Sequence, residues 1–251
     1  MKCHCMITGS GLAVVAVTAV ASCSMFNAKP AADSGFNPTA APQVTRAAFL
    51  QQIWVAPEYQ GLPIKDQFSM IHVAPVNTDY IEKQTWWQQQ SGTRKDQLAR
   101  DTQDIARKMR DKFNQTIGNY PGGTIKLANR PGRGVLVLEL ALVELVPSKA
   151  YWNAGATAAG FVIPGAGFLS MAGSGSIAME GRARDGRTHK IIATFKDRRN
   201  DKAAPISLGS FTWYHGADTN IADWAAEFAE LLNTPPSHVV RRASAVTLKP
   251  W

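Results

Sequence analysis

Glu139 and Glu144 interrupt the apolar run GVLVLELALVELV at residues 134–146. A carboxylate in such surroundings needs a cationic or hydrogen-bonding partner, or its pKa rises. Strict alternation along an extended chain places the two on different faces. Pairing with one of the many arginines is the structural reading, and a ligand or proton-linked site is the functional one. Asp185, His189 and Asp197 offer acid–base chemistry if the fold brings them together; a turn and a hairpin end are their structural duties. The histidines at 4, 72, 189, 215 and 238 stand singly, without the close pairs common in zinc sites. His72 alternates with Phe68 and Met70, which reads as an imidazole at the core or its edge with a satisfied partner. The chain contains no G-x-S-x-G, no Walker loop and no H-E-x-x-H. No catalytic residue, metal or cofactor is therefore expected, and the chain reads as a non-enzyme. Five residues remain as binding candidates. Trp86 and Trp87 could stack on a glycan ring or sit at a membrane interface, although one of two adjacent tryptophans often packs inward. Arg182, Arg184 and Lys190 mark a basic strand surface, which is either plainly solvated or suited to an anion.

The three cysteines are Cys3, Cys5 and Cys23. A short start with Lys2 and an apolar run from Ile7 to Val20, too short to span a bilayer comfortably, resemble a secretory signal over residues 1–22. The run ends in Val20-Ala21-Ser22-Cys23, which is similar to a lipobox: an aliphatic residue, two small residues and a cysteine. That resemblance implies cleavage between Ser22 and Cys23, diacylglycerol on the thiol and an acyl group such as palmitate on the new amine. It would leave Cys23 as the sole cysteine, with no internal disulfide to form. Ser24 rather than Asp follows, which by analogy with enterobacterial sorting favours the outer membrane, facing the periplasm. Loss of Lys2 leaves 26 basic against 19 acidic residues, a formal charge of +7. Such a surface suits anionic envelope components or other envelope proteins. Nucleic acid, which an exported protein seldom meets, is not an expected partner.

The elements that must position these residues follow from pattern. With 45% hydrophobic and 18% charged residues, the 251-residue chain can bury one sizeable core. Residues 23–45, rich in Ala, Pro, Ser and Asn, read as a flexible tether that lets residues 46–235, a single domain, stand off the membrane. Residues 236–251 read as a basic tail with a short edge strand at 245–248. FSMIHVAPV at 68–76 reads as a strand, and Gly134–Val146 as a strand covered on both sides. Leu98, Ile105, Met109, Phe113 and Ile117 share one face of a helix starting near Ser91. Asp185-Gly186 predicts a type I′ turn joining strands 174–184 and 187–198. One side of that hairpin carries Ile177, Met179 and Ala183 with His189, Ile191, Ala193 and Phe195; Lys190 and Lys196 lie opposite. A last helix over 218–233, with Asp218 as N-cap, aligns Ile221, Trp224, Ala225, Phe228 and Leu231. A further short strand is expected near 206–212. The sum is an α/β (α+β) two-layer sandwich: a mixed sheet of about four to five strands with two main helices on one face.

Residues 150–179 carry no charge and many Gly and Ala. Pro164 and the glycines oppose a membrane helix. The segment reads as a small-residue connection packed on the sheet, as a self-association surface, or as a hairpin that an oligomeric pore would insert.

Taken together, SGF at 34–36, IHVAPV followed by Asn77, the hairpin GSGSIAMEGRARDGRTHKIIATFKDRR and the closing helix at 221–228 resemble a family of Gram-negative lipoproteins known as domain of unknown function 3313. The resemblance implies an exported, lipid-anchored α/β domain and implies no activity. The reading that results is a lipid-anchored, non-enzymatic binding or scaffold module of the envelope. Its alternative is a component of an oligomeric secretion or pore complex, and a homo-oligomer is compatible with either.

Overall fold

A computed structural model describes residues 28–38, 47–83, 85–88, 90–146, 175–202 and 214–245 of the chain. The expected tether segment 39–45, the central neutral segment up to residue 174, the strand near 206–212 and the end of the tail lie outside the described residues. So do Ser22 and Cys23.

The strands are β1 (Gln52–Val55), β2 (Met70–Val73), β3 (Lys126–Leu127), β4 (Val135–Val146), β5 (Ser176–Asp185) and β6 (Ile191–Asn200). The helices are α1 (Ile64–Gln67), α2 (Thr85–Gln88), α3 (Gly92–Gly118) and α4 (His215–Asn233). They build the expected mixed α+β sandwich with one more strand than the upper expectation, because β1 and the two-residue β3 were not read from the pattern. The sheet order is β1-β6-β5-β4-β2-β3. β2 runs parallel to both β4 and β3, as a strand–helix–strand crossover requires, while β4-β5-β6-β1 is antiparallel throughout.

The helical stripes set the core. Leu98, Ile105, Met109, Phe113 and Ile117 of α3, and Ile221, Trp224, Ala225, Phe228 and Leu231 of α4, are all buried against the sheet. Helix α4 starts at His215, three residues before the predicted cap, so Asp218 lies in its first turn, where it suits the helix dipole. β2 turns Ile71 and Val73 into this core. His72 is left half-buried on the other side, its Nδ1 3.0 Å from the Ala128 carbonyl oxygen. No helix among the described residues is long and apolar enough to cross a membrane.

Two bulges break the predicted alternation. In β4 the register slips between Leu142 and Glu144, and Val143 is the extra residue. Glu144 therefore falls on the same face as Glu139, not the opposite one. In the hairpin the register slips after Ala183, which pairs with Ala193, while Arg184 pairs with Ile191. Ile192 is the extra residue and turns into the core, so Ile191 leaves the face of Ala193 and Phe195.

The turn is also not type I′. Gly186 is absent from the left-handed glycines, and His189, at φ 60°, takes that role in a longer loop closed by the His189 amide donating to the Asp185 carbonyl. Glycine is needed at 186 for another reason. A Cβ there would lie 2.7 Å from the Val135 carbonyl oxygen and 2.8–2.9 Å from the Gly132 backbone. Gly186→Ala is expected to destabilise by about 1–3 kcal/mol, as overpacking against backbone does; urea unfolding checks this, and an unchanged midpoint refutes the close approach.

Candidate functional site

The sheet has an open face opposite the helices, and residues 28–38 lie across it. This part of the expected tether does not stand off but is docked. Phe36 is buried with Ala141, Val143 and Ala178, and its ring meets Tyr80 edge-on at 5.5 Å. The SGF residues explain the docking locally. Gly35 adopts φ +86°, open to glycine without strain. The Ser34 Oγ accepts the Phe36 amide at 3.1 Å, and the Ser34 amide donates to Glu180 Oε1 at 2.9 Å. Asn37 Nδ2 donates to the carbonyls of Gly181 and Phe195 at 3.1 and 3.2 Å.

The two glutamates of β4 act on this face. Arg182 and Arg184 both donate to Glu139 Oε2, the latter at 2.9 Å. Arg182 also donates to the Phe36 carbonyl at 3.0 Å and stands 4.3 Å from the centre of its ring. Burial pushes the Glu139 carboxyl upward, but the hydrogen bonds and charges of the two arginines outweigh that and hold it below its ordinary value. Glu144 accepts from Ser176 Oγ at 2.5 Å and from Arg198 Nε at 2.7 Å. The basic strand surface is thus largely spent on its own carboxylates and on residues 28–38, which form a strap over it.

The binding candidates whose side chains are described do not converge. Arg182 and Arg184 meet at Glu139. Lys190 pairs with Glu58 at the hairpin end, both exposed. Trp87 is 4% exposed and belongs to the core, so its indole is not presented to a ligand; the Trp86 side chain lies outside the described residues. Asp185 caps its own turn, accepting from the amides of Arg187 and Thr188 at 2.9 and 2.7 Å, and these bonds, Thr188 first, lower its pKa. Asp197 lies near the far end of β6, about 20 Å away along the strand at roughly 3.3 Å per residue, so the Asp185–His189–Asp197 grouping does not assemble. Among the described residues no group of His, Cys, Asp and Glu could hold a metal.

Two features were not read from the sequence. The first is a buried ionic cluster under α4. Asp197, whose side chain is fully buried, accepts from Arg199 Nε at 2.9 Å, from Trp224 Nε1 at 2.7 Å and from Arg242. Arg199 Nη2 reaches Glu227 at 2.6 Å, and Glu227 also accepts the Ala243 amide at 2.7 Å. Burial raises the Glu227 carboxyl and lowers the Arg242 guanidinium, each against its partners' pull. Residues 236–245, expected to be tail, are therefore part of the domain; Val240 is fully buried and bridges Ala47.

The second is a cavity of about 300 Å³ on the helix-covered side of the sheet. It lies between the sheet, the end of α4 and the arm 56–68 that links β1 to β2. Leu50, Ile53, Ile71, Leu138, Phe195 and Leu231 contribute to its walls, no charged residue among those described lines it, and Leu62, also in the lining, is 41% exposed.

Nothing among curated proteins matches. Among solved structures, the chain is similar to a PelC dodecamer from Paraburkholderia phytofirmans at 11% identity, with 73% of this chain and 96% of that one covered and a TM-score of 0.39. It is also similar to protein XCC0632 from Xanthomonas campestris, described with the family model DUF330, at 10% identity, 77% and 95% coverage and a TM-score of 0.36. A family model described as "Protein of unknown function (DUF3313)" matches residues 67–228, from the end of α1 through most of α4, and the chain belongs to that family.

Proposed function

We propose that this protein is fastened to the outer membrane by lipid on Cys23, faces the periplasm and works there by binding or scaffolding, without catalysis. One observation carries the reading: the chain is seated on its domain almost as soon as it leaves the expected anchor. Ala28 is 7% exposed, and its carbonyl accepts Gln51 Nε2. Five residue steps separate it from Cys23, at most about 18 Å of extended chain. A lipid there would hold the strap and the open sheet face close to the bilayer rather than let the domain range freely. Internal pairing of Glu139, Glu144, Arg182, Arg184 and Arg198 also fits a face built to hold a segment of chain rather than to turn over a substrate.

Growth with labelled palmitate tests the anchor. The wild-type protein is expected to carry label, to begin at Cys23 and to need detergent for extraction. The Cys23→Ser chain is expected to carry no label and to be extracted without detergent. An unlabelled wild-type protein that retains residues 1–22 would overturn the reading.

A further inference from the structure

We infer that the cavity under the 56–68 arm binds a single alkyl chain of a lipid. Among the described residues its walls are mainly branched aliphatic side chains, and its polar side chains are Tyr59, Gln60 and Gln67, all on the arm. A sugar or nucleotide would leave most of its polar groups unpaired there. An alkyl chain would leave none, and its polar end would lie at the arm.

Two observations indicate that the space is meant to be filled. Ala183 and Ala193 are cross-strand partners on the helix-covered side, yet both remain partly exposed, whereas Leu138 and Phe195 around them are buried. The small side chains at the centre of the sheet thus leave room that no other described residue takes. A pocket of about 300 Å³ with mainly apolar walls, partly open to solvent, also hydrates poorly. The volume lies at the small end of ligand pockets, roughly 300–1,000 Å³, which favours one chain over a bulky ring system. The arm supplies an entrance. It is tied at its ends by the Ala56 amide to the Ile192 carbonyl and by the Ser69 amide to the Gly134 carbonyl. Its tip carries Gly61 at φ +73° and the exposed Leu62.

The test uses the full chain bearing Cys23→Ser, so that no anchor of its own can enter the cavity and the outcome is independent of whether Cys23 is lipidated. Cis-parinaric acid is titrated by fluorescence, and a phosphatidylcholine carrying the same parinaroyl chain is offered in vesicles. Saturable binding of the free acid alone assigns a fatty-acid site, and transfer from vesicles as well assigns a phospholipid chain. Ala193→Leu and Ala183→Leu, each checked for an unchanged or raised melting temperature, are expected to weaken binding at least tenfold by filling the space. The inference is overturned if the parent chain binds neither probe saturably, or if both filled variants fold and bind as the parent does.

Discussion

Asp197→Ala is expected to destabilise the domain by about 3–5 kcal/mol, the range found when one partner of a buried ion pair is removed. Its carboxylate receives the Arg199 and Arg242 guanidinium groups and the Trp224 indole N–H, in a place where its side chain has no solvent exposure. Without it, the two cations are left with Glu227, 2.6 Å from Arg199, and Asp223, 3.8 Å from it, and the indole donor loses its acceptor. Cluster and packing are coupled, because Arg199 also stands 5.2 Å from the centre of the Trp224 ring. Asp197→Asn keeps the volume and one acceptor oxygen, so a smaller loss is expected. Replacing Asp197, Arg199, Glu227 and Arg242 together by apolar residues of similar volume is expected to recover much of the loss, since the desolvation penalty disappears with the charges. Urea unfolding of the three variants decides the matter; an Asp197→Ala loss below about 1 kcal/mol would mean that the cluster is no stronger than a surface pair. The same cluster explains why the chain continues beyond α4. Arg242 ties residues 236–245 to β6, and both arginines also donate to the Phe49 carbonyl, fixing the segment ahead of β1.

Wherever one period ran unbroken, the sequence was a good guide. The stripes of α3 and α4 were legible because a 3.6-residue repeat over several turns leaves little freedom in which residues face inward. Strand faces were legible only as far as the first bulge. Counting by twos separated Glu139 from Glu144, and a single extra residue, Val143, reunites them. Counting by twos also leads to the cluster under α4. Ala193, Phe195, Asp197 and Arg199 alternate on one face, and charge at the last two masked their continuity with the core. Asp185-Gly186 does mark a turn, but its glycine answers to the backbone of 132–135, not to its own φ. The strap was hidden by composition, since Ala, Pro, Ser and Asn are also what a tether uses. The available signal was a solitary Ser-Gly-Phe within it, an aromatic ring with no local partner. The cavity had no sequence signal, because such a space belongs to the packing of the sheet, the arm and α4 together and not to any one of them.

Phe36→Ala is expected to release the strap while leaving the sandwich folded. Truncating a buried phenylalanine in a core costs about 3–5 kcal/mol, but here the measured global loss is capped, because the segment can leave the face once its docking energy is spent. The loss should therefore appear locally. The Ser34 and Asn37 amides, held by Glu180 in the native protein, are expected to approach free exchange with deuterium, while the amides of the β5–β6 ladder keep their protection. The same release has a predictable pH sense. Glu139 has its carboxyl below the ordinary value in the folded protein, so its contribution is complete above pH 4.5, the unfolded reference, and is lost as pH falls through the lower folded value. Protonating it frees Arg182, which otherwise grips the Phe36 carbonyl and ring. Protection at Ser34, corrected for the intrinsic exchange rate, is thus expected to fall below pH 4.5 ahead of acid unfolding. Glu139→Gln is expected to show the weakened protection already at neutral pH and to lose that acid dependence. Unchanged Ser34 protection in Phe36→Ala would show that the ring does not hold the segment. Fraying of the β5–β6 amides at the same rate as Ser34 would show that the strap and the sheet are one cooperative unit.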